Sequence, residues 1–469
     1  MHTYDLIVLG GGRASALAIA GAKAGKKVAL IESDQLGGVC PNRGCVPSKL
    51  LIGFSEAARR VRRADRHFID AEFRGIDTPR VFERVNEWIA GIDPLYEARL
   101  LDAGVDLLRG IGKFTAHKKI EVAGTTVNAE TIVVATGSRP TNSPFANLPV
   151  WTSDDLFPLK DPVPKSIIII GGGFIGCELG AFFSGIGVET RLFARGGRLL
   201  SKADAEIEAI FQPEFGNDVH VHLNSRLNHL DYDGSEFAAT FIVHEGREET
   251  YRAERVLFAA GRVPNTEKLA LEMTGLFANK HGFLAVDNYL ETSVPGIYAA
   301  GDVNGRFMLQ HAASYEVHYL NQRLIKGVES GPIDERLVAH AIYSHPEVAS
   351  IGFTEEQLIQ AGTPYIPVVN DWLASARAMA ARLDYPRTKL LVSPIDYSIL
   401  GCHLIGPEAS TLLHQVLAVM RLKNDVRELA EMIYVHPALN ECLMAAAVRA
   451  SSLVKKAREK DSTRRLAYL

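Results

Sequence analysis

Short apolar runs alternate with glycine turns and helix-forming stretches along this chain, and one such pattern occurs twice. Leu6-Ile-Val-Leu9 is continuously apolar and stops at Gly10-Gly11-Gly12. A run without polar alternation suits a parallel strand buried on both faces. The alanine-rich stretch from Ala14 to Ala24 predicts a helix, and Val28-Ala-Leu-Ile31 predicts a second strand ending at Glu32. The same order returns where Ile167-Ile-Ile-Ile170 runs into Gly171-Gly172-Gly173-Phe-Ile-Gly176. A glycine turn of this kind lets the backbone approach a pyrophosphate at the N-terminus of the next helix, where free N–H groups and the helix dipole favour anions. One such signature is a weak signal, because glycine turns also connect packed elements that bind nothing. Two, each between strand and helix, predict two dinucleotide sites.

Superposing the copies separates them chemically. Seven steps lead from Gly25 to Glu32, and seven from Gly187 to Ala194. The acid that can hydrogen-bond ribose hydroxyls in the first copy is therefore an alanine in the second, followed by Arg195 and Arg198. Losing the acid removes repulsion of a 2′-phosphate, and arginine can pair with one in bidentate fashion. This pattern favours NADPH at the second turn, although exposed arginines are often only solvated charge. The third glycine position, Gly176 in the second copy, is Ser15 in the first, so the first helix is expected to sit differently on its strand.

Composition narrows the class. With 469 residues the chain has room for roughly three domains at about 150 residues each. A formal net charge of -4 gives no hint of a nucleic-acid partner. No apolar run reaches the ~18 residues of a membrane-spanning helix, and the opening Met1–Gly10 reads as a first strand and not as an export signal. A cytoplasmic address is the resulting expectation. In that setting the five cysteines do not form a disulfide scaffold, and a close pair is more readily catalytic or metal-binding than structural.

That close pair is Cys40-Pro-Asn-Arg-Gly-Cys45. Residues five apart in a regular helix are separated by about 7.5 Å along the axis, whereas a disulfide wants Cα atoms roughly 4.4–6.8 Å apart. A Cys40–Cys45 bridge thus requires a distorted first turn, helped by Pro41 and Gly44, and distortion makes such a bond easier to reduce. A helix N-terminus also favours the thiolate. A zinc site would need a second ligand pair, and Cys177, Cys402 and Cys442 are scattered. No metal is expected.

The segment Gly37-Gly38-Val-Cys40 through Cys45-Val-Pro-Ser-Lys49 resembles that of the class I pyridine nucleotide-disulfide oxidoreductases, which include dihydrolipoamide dehydrogenase and the glutathione, mycothione and mercuric reductases. The resemblance covers essentially the whole chain. Ala135-Thr136-Gly137 is similar to the segment closing the family's first FAD-binding section, and Ala260-Gly261-Arg262-Val-Pro264-Asn265 to its return from the nicotinamide domain. Ile297-Tyr-Ala-Ala-Gly301-Asp302-Val resembles the second FAD fingerprint. Tyr434-Val-His436-Pro437-Ala-Leu-Asn-Glu441 resembles the family's acid–base signature.

The resemblance implies a three-part α/β fold: two Rossmann-like dinucleotide-binding domains, for FAD (1–150 with 265–335) and NAD(P) (151–264), and a C-terminal α+β dimerisation domain (336–469). It implies Cys40 as the thiol that exchanges with substrate and Cys45 as the thiol beside the flavin. Lys49 would lie near flavin N5, with Glu178 as its partner. His436, oriented by Glu441, would handle the protons of thiol–disulfide exchange. The implied cofactor-binding set is Gly10, Gly12, Glu32, Gly38, Lys49, Thr136, Gly137, Gly171, Gly173, Gly176, Arg195, Arg198, Gly261, Arg262, Gly301, Asp302, and the helix opening at Leu309, Gln310, His311 and Ala312. Phe174 stands where many members carry a gating tyrosine. His345-Pro346-Glu347 imitates the acid–base signature but precedes Ile351-Gly-Phe, which resembles the start of the interface domain, so it is read as structural.

In the family, the residue matching His436 serves the cysteine pair of the other subunit, which implies a homodimer built through Ala409–Met420 and Asp425–Ala450. Gly406-Pro407-Glu408-Ala409 and the C-terminal region look more like dihydrolipoamide dehydrogenase and mycothione reductase than glutathione reductase. The leading expectation is a dihydrolipoamide dehydrogenase-type enzyme acting on a small dithiol or a lipoyl-carrying protein. The alternative is an NADPH-dependent reductase of a low-molecular-weight thiol disulfide, favoured by Ala194-Arg195. Mercuric reductase shares a similar Ala-Arg, but the end Arg464-Arg-Leu-Ala-Tyr-Leu469 lacks vicinal cysteines. A non-catalytic flavoprotein subunit is disfavoured by the intact Cys40, Cys45, Lys49, His436 and Glu441 set.

Overall fold

The computed structural model describes residues 2–145, 147–159 and 162–466, so the Ala467–Leu469 end lies outside the described residues. The chain forms two compact units, one of residues 1–51, 77–163 and 257–334, the other of 52–76, 164–256 and 335–469.

The first unit is built on a seven-stranded sheet. Its centre is parallel: Asp106–Arg109, Val28–Glu32, His2–Leu9 and Thr125–Val134 lie side by side, and Ile297–Ala299 joins the far edge of Thr125–Val134. Lys119–Val122 and Lys113–Ala116 continue the sheet antiparallel. The apolar run at Leu6–Leu9 is buried on both faces, as its lack of alternation predicts. Leu6, Val8, Val28 and Leu30 enter one core cluster, while Ile7, Leu9, Ala29 and Ile31 enter the other.

The second unit holds three sheets. Ser166–Ile170, Glu189–Phe193, His220–His222 and Arg255–Phe258 make a four-stranded sheet after the same strand–turn–helix plan. A three-stranded antiparallel meander spans Arg226–Ala253. A five-stranded sheet, ordered His340–Ile342, Val348–Gly352, Ile399–Ile405, Arg387–Val392 and Ile366–Asp371, shares its core with helices Ala409–Leu422, Val426–Glu431 and Glu441–Leu466. The glycine-turn segment is fastened to this sheet by a fully buried cation. Lys389 Nζ lies 2.9 Å from Asp204 Oδ1, 3.1 Å from Glu206 Oε2 and 2.5 Å from Glu355 Oε2. A buried charge persists only when paired this closely, and removing one partner would strand the others.

Candidate active site

The two glycine turns occupy equivalent places. Gly10 N–H donates to Ile31 O at 2.8 Å, and Gly171 N–H donates to Phe193 O at 2.9 Å. Glu32 and Ala194 are therefore the matching residues, each one past the anchored carbonyl. In the first copy the Glu32 carboxylate closes onto the turn, accepting from Gly11 N–H at 2.6 Å and Asp34 N–H at 2.7 Å. In the second, a Cβ on Gly172 would come 2.8 Å from the Ala194 Cβ. The third positions differ as well. A Cβ on Gly176 would run into the Gly171 carbonyl oxygen, so only glycine fits there. Ser15 instead uses its hydroxyl, donating to Gly11 O at 2.8 Å, and the first helix starts at Ser15 where the second starts at Phe174.

The cysteine loop leaves the first turn's neighbourhood. A Cβ on Gly38 would sit 2.9 Å from Gly12 Cα, and Gly38 has φ +72°, a region glycine enters without strain. Between the cysteines the helix is broken. Val39–Arg43 forms one short helix, Gly44 departs from helical angles at φ -137° and ψ -115°, and Cys45 opens the helix Cys45–Arg62. The break falls between the two cysteines, where the five-residue spacing calls for a departure from regular helix. The Cys40 and Cys45 side chains are joined by a hydrogen bond. That bond, with burial second, pushes the Cys40 thiol far above its usual range, while the Lys49 charge pulls the other way. Cys45, at a helix N-terminus, has the dipole in its favour. Asn42, which sequence reasoning passed over, holds this loop: its buried amide donates to Leu36 O at 2.8 Å and Gly38 O at 2.9 Å.

The remaining segments of the first unit converge on each other. Thr136 Oγ1 donates to Asn265 O and Asn265 Nδ2 returns to Thr136 O, both at 2.9 Å. Ser138–Pro140 pairs with Arg262–Pro264. Ser138 Oγ donates to Asp302 Oδ2 at 2.5 Å and accepts from Arg262 Nε at 2.8 Å, so Asp302 is aimed by Ser138, a residue with no sequence signal. Gly301, at φ +78°, donates its N–H to the buried Glu316 carboxylate at 2.5 Å. The helix Gln310–Leu320 begins after Leu309 without a side-chain cap, the condition under which its N-terminal dipole acts outward.

In the second unit Glu178 is buried and accepts the Tyr343 N–H at 2.9 Å, while Phe174 is exposed. His436 Nδ1 lies 2.7 Å from Glu441 Oε1, and the other Glu441 oxygen accepts the Ala438 N–H at 2.9 Å. The hydrogen bond to His436, seconded by the Ala438 amide, holds the Glu441 carboxyl below its usual range. This leaves the distal nitrogen of an exposed imidazole open to proton transfer.

Residues 4–316 match the family model of the pyridine nucleotide-disulphide oxidoreductases, and residues 338–447 match the model of their dimerisation domain. The chain belongs to this oxidoreductase family. It is 30% identical over 461 residues to the dihydrolipoyl dehydrogenase of Thermus scotoductus, covering 95% of this chain and 97% of that one. With the dihydrolipoyl dehydrogenase of Geobacillus stearothermophilus it shares 32% over 459 residues, 95% of this chain and 96% of that one. The fold is that of LpdA from Mycobacterium tuberculosis, with a TM-score of 0.84, 27% identity, and coverage of 96% of this chain and 99% of that one. It is also that of the HOCl-induced flavoprotein disulfide reductase RclA from Escherichia coli, with a TM-score of 0.84 at 24% identity, over 96% of this chain and 99% of that one.

Membership implies FAD and a pyridine nucleotide, and the residues present fit both. Gly12 and Gly38 bring their backbones so close that a Cβ on Gly38 would sit 2.9 Å from Gly12 Cα, and the Glu32 carboxylate lies on the same turn through Gly11, the glycine-and-acid set that an adenine dinucleotide requires. At the second turn a Cβ on Gly173 would meet nothing within 4 Å, leaving open space where its helix begins. The dimerisation domain supports a homodimer. Among the described residues no helix is long and apolar enough to cross a membrane.

Proposed function

We propose that this chain is a dihydrolipoyl dehydrogenase-type enzyme that exchanges electrons between a substrate dithiol and a pyridine nucleotide. The observation that carries the reading is the Cys40–Cys45 pair on a helix broken at Gly44, which lets the two sulfurs alternate between dithiol and disulfide. In this reading the FAD domain would comprise 1–150 and 265–335, the NAD(P) domain 151–264 and the interface domain 336–469. FAD, when bound, relays two electrons between nicotinamide and the cysteine pair. Gly10, Gly12, Glu32, Gly38, Thr136, Gly137, Gly301, Asp302 and the Leu309–Ala312 helix opening would hold it, with Lys49 and Glu178 beside its reactive edge. Gly171, Gly173 and Gly176 would hold the nucleotide pyrophosphate, with Gly261 and Arg262 in the return segment.

In the substrate half, a thiol of the dithiol gives its proton to His436 and attacks Cys40 of the oxidised pair. The Cys40–Cys45 bond breaks and Cys45 leaves as thiolate. The second substrate thiol then displaces Cys40, its proton passing to the departing Cys40 sulfur, which closes the substrate disulfide and leaves the pair reduced by two electrons. Glu441 orients the imidazole and stabilises its charged form. His436, with 74% of its side chain exposed, is assigned to the cysteine pair of the partner subunit, so each site of a cytoplasmic homodimer uses two chains. A lipoyl-carrying protein is the preferred partner.

The second reading, an NADPH-dependent reductase of a small thiol disulfide, is favoured by Ala194 followed by the exposed Arg195. Steady-state turnover of the flavin-loaded protein decides between them. Fast NAD+ reduction by dihydrolipoamide is the expected result. Activity restricted to NADPH with a low-molecular-weight disulfide would replace the first reading by the second, and a protein without either activity would sink both.

A further inference from the structure

The loop after Ala194 folds back over the second glycine turn. Leu200 N–H donates to Gly172 O at 2.8 Å, Asn224 N–H donates to Gly196 O at 3.0 Å, and a Cβ on Gly172 would meet Leu199 Cδ2 at 3.0 Å. Arg195 and Arg198 are therefore both carried at the turn, yet their states differ. Arg195 is exposed. Arg198 is engaged: Nη1 lies 3.1 Å from Glu356 Oε1 and Nη2 donates to Ser201 O at 3.1 Å. Glu208, whose buried Oε1 has no hydrogen-bond partner, is near enough to feel the same guanidinium.

Glu356 comes from the dimerisation segment and is held firmly. It lies in the first turn of the helix Glu355–Ala361, which opens with a reciprocal cap between Thr354 and Gln357. Its neighbour Glu355 is clasped by Lys389, a residue only 1% exposed, which also grips Asp204 at the start of the helix following the arginine loop. The helix turn that carries Glu356 is thus anchored at its neighbours, and from it the half-exposed Glu356 carboxylate reaches Arg198. A guanidinium fork can serve one anion fully at a time.

We propose that Glu356 competes with the 2′-phosphate of NADP(H) for Arg198, so that a carboxylate of the dimerisation domain sets how strongly the nucleotide domain prefers the phosphorylated cofactor. Arg195 alone then supplies most of the discrimination, and Arg198 contributes only when it exchanges Glu356 for phosphate. This rests on the reading that the second glycine turn binds the pyridine nucleotide.

Titration calorimetry of the flavin-loaded protein with adenosine 2′,5′-bisphosphate and with 5′-AMP tests it without catalysis. The Glu356→Gln protein is expected to bind the bisphosphate roughly three- to tenfold tighter, with 5′-AMP unchanged, a size suited to one charge-assisted contact made available. Adding Arg198→Ala to it should abolish the gain. In the otherwise native protein, Arg195→Ala should cost more bisphosphate affinity than Arg198→Ala. The proposal is overturned if E356Q leaves the preference for the bisphosphate unchanged, or if the gain survives the loss of Arg198. An R195A protein that binds both nucleotides as the native protein does would overturn it as well, whereas a native protein that binds neither nucleotide would mean that the reading beneath it has failed.

Discussion

Two His-Pro dipeptides lie in the second unit, and the difference between them shows what makes a histidine usable. His345-Pro346-Glu347 is packed inward. Burial first, and the nearby Arg59 charge second, push its pKa down to about 3, and its ring meets Tyr385 edge-on at 6.1 Å between centroids. Its following acid does not face it: Glu347 Oε1 accepts the Ser410 N–H at 2.7 Å, opening the helix Ala409–Leu422. His436-Pro437 is the reverse, an open ring whose Nδ1 is held by Glu441 five residues on. One histidine is kept neutral and enclosed, the other solvated and paired with a carboxylate. The dipeptide is common to both, so the chemistry lies in access and in where the carboxylate points.

The strongest way to break the comparison is to remove the open ring. His436→Ala is expected to slow the dithiol half of the reaction by about 10²- to 10⁴-fold, the usual worth of a positioned acid–base group. Flavin reduction by the nicotinamide, followed in rapid mixing, should stay as in the native protein. Equal loss in both halves would mean that the change damages the fold and not proton transfer. Glu441→Gln sharpens the point with a smaller effect. It keeps the shape and an acceptor for Ala438 N–H but removes the charge that supports the imidazolium, a loss of roughly 10- to 100-fold in the dithiol half. Native turnover in E441Q would show that exposure alone separates the two histidines.

Much of this is legible in the sequence, for local reasons. Leu6–Leu9 and Ile167–Ile170 announce buried parallel strands because the absence of alternation leaves no polar face. Counting from Gly25 and Gly187 aligned Glu32 with Ala194, and the Gly10 and Gly171 hydrogen bonds place them alike. Ser15 marked the departure between the copies; the helix starts at Ser15 in one and at Phe174 in the other, and the Ser15 hydroxyl bond to Gly11 could not be read from spacing. What escaped depends on distant pairing. The need for a distorted turn between Cys40 and Cys45 was visible, but its location, a break at Gly44, depends on backbone angles that no residue type dictates. Ser138 aims Asp302 from 164 positions away, and Arg198 meets Glu356 from 158. The Thr354–Gln357 cap was a detectable signal for the helix that carries Glu356, but nothing local pairs it with an arginine. The meander over Arg226–Ala253 was also unforeseen, its short strands carrying exposed charge on one side.

The enclosed histidine gives the gentlest test, because its removal should leave catalysis nearly untouched. A histidine whose folded pKa lies near 3, below the ordinary value of about 6.5, binds protons more tightly in the unfolded chain. Its neutral form therefore supports the fold fully above about pH 6.5, and that support drains away as pH falls toward 3. Between pH 7 and 5 the loss amounts to at most about 2 kcal/mol. Protonation would also set a charge against Arg59, Arg63 and Arg66, with Asp218 opposing them. In His345→Gln that proton has nowhere to bind. Denaturant melts at pH 7 and pH 5 should then show a smaller difference for the variant than for the native protein, whatever packing costs the variant at pH 7. Dithiol turnover at pH 7 should stay within about twofold, since nothing in the proposed proton path touches this ring. A loss of turnover approaching that of H436A would mean the buried dipeptide takes part in the chemistry, and the contrast drawn between the two histidines would be wrong.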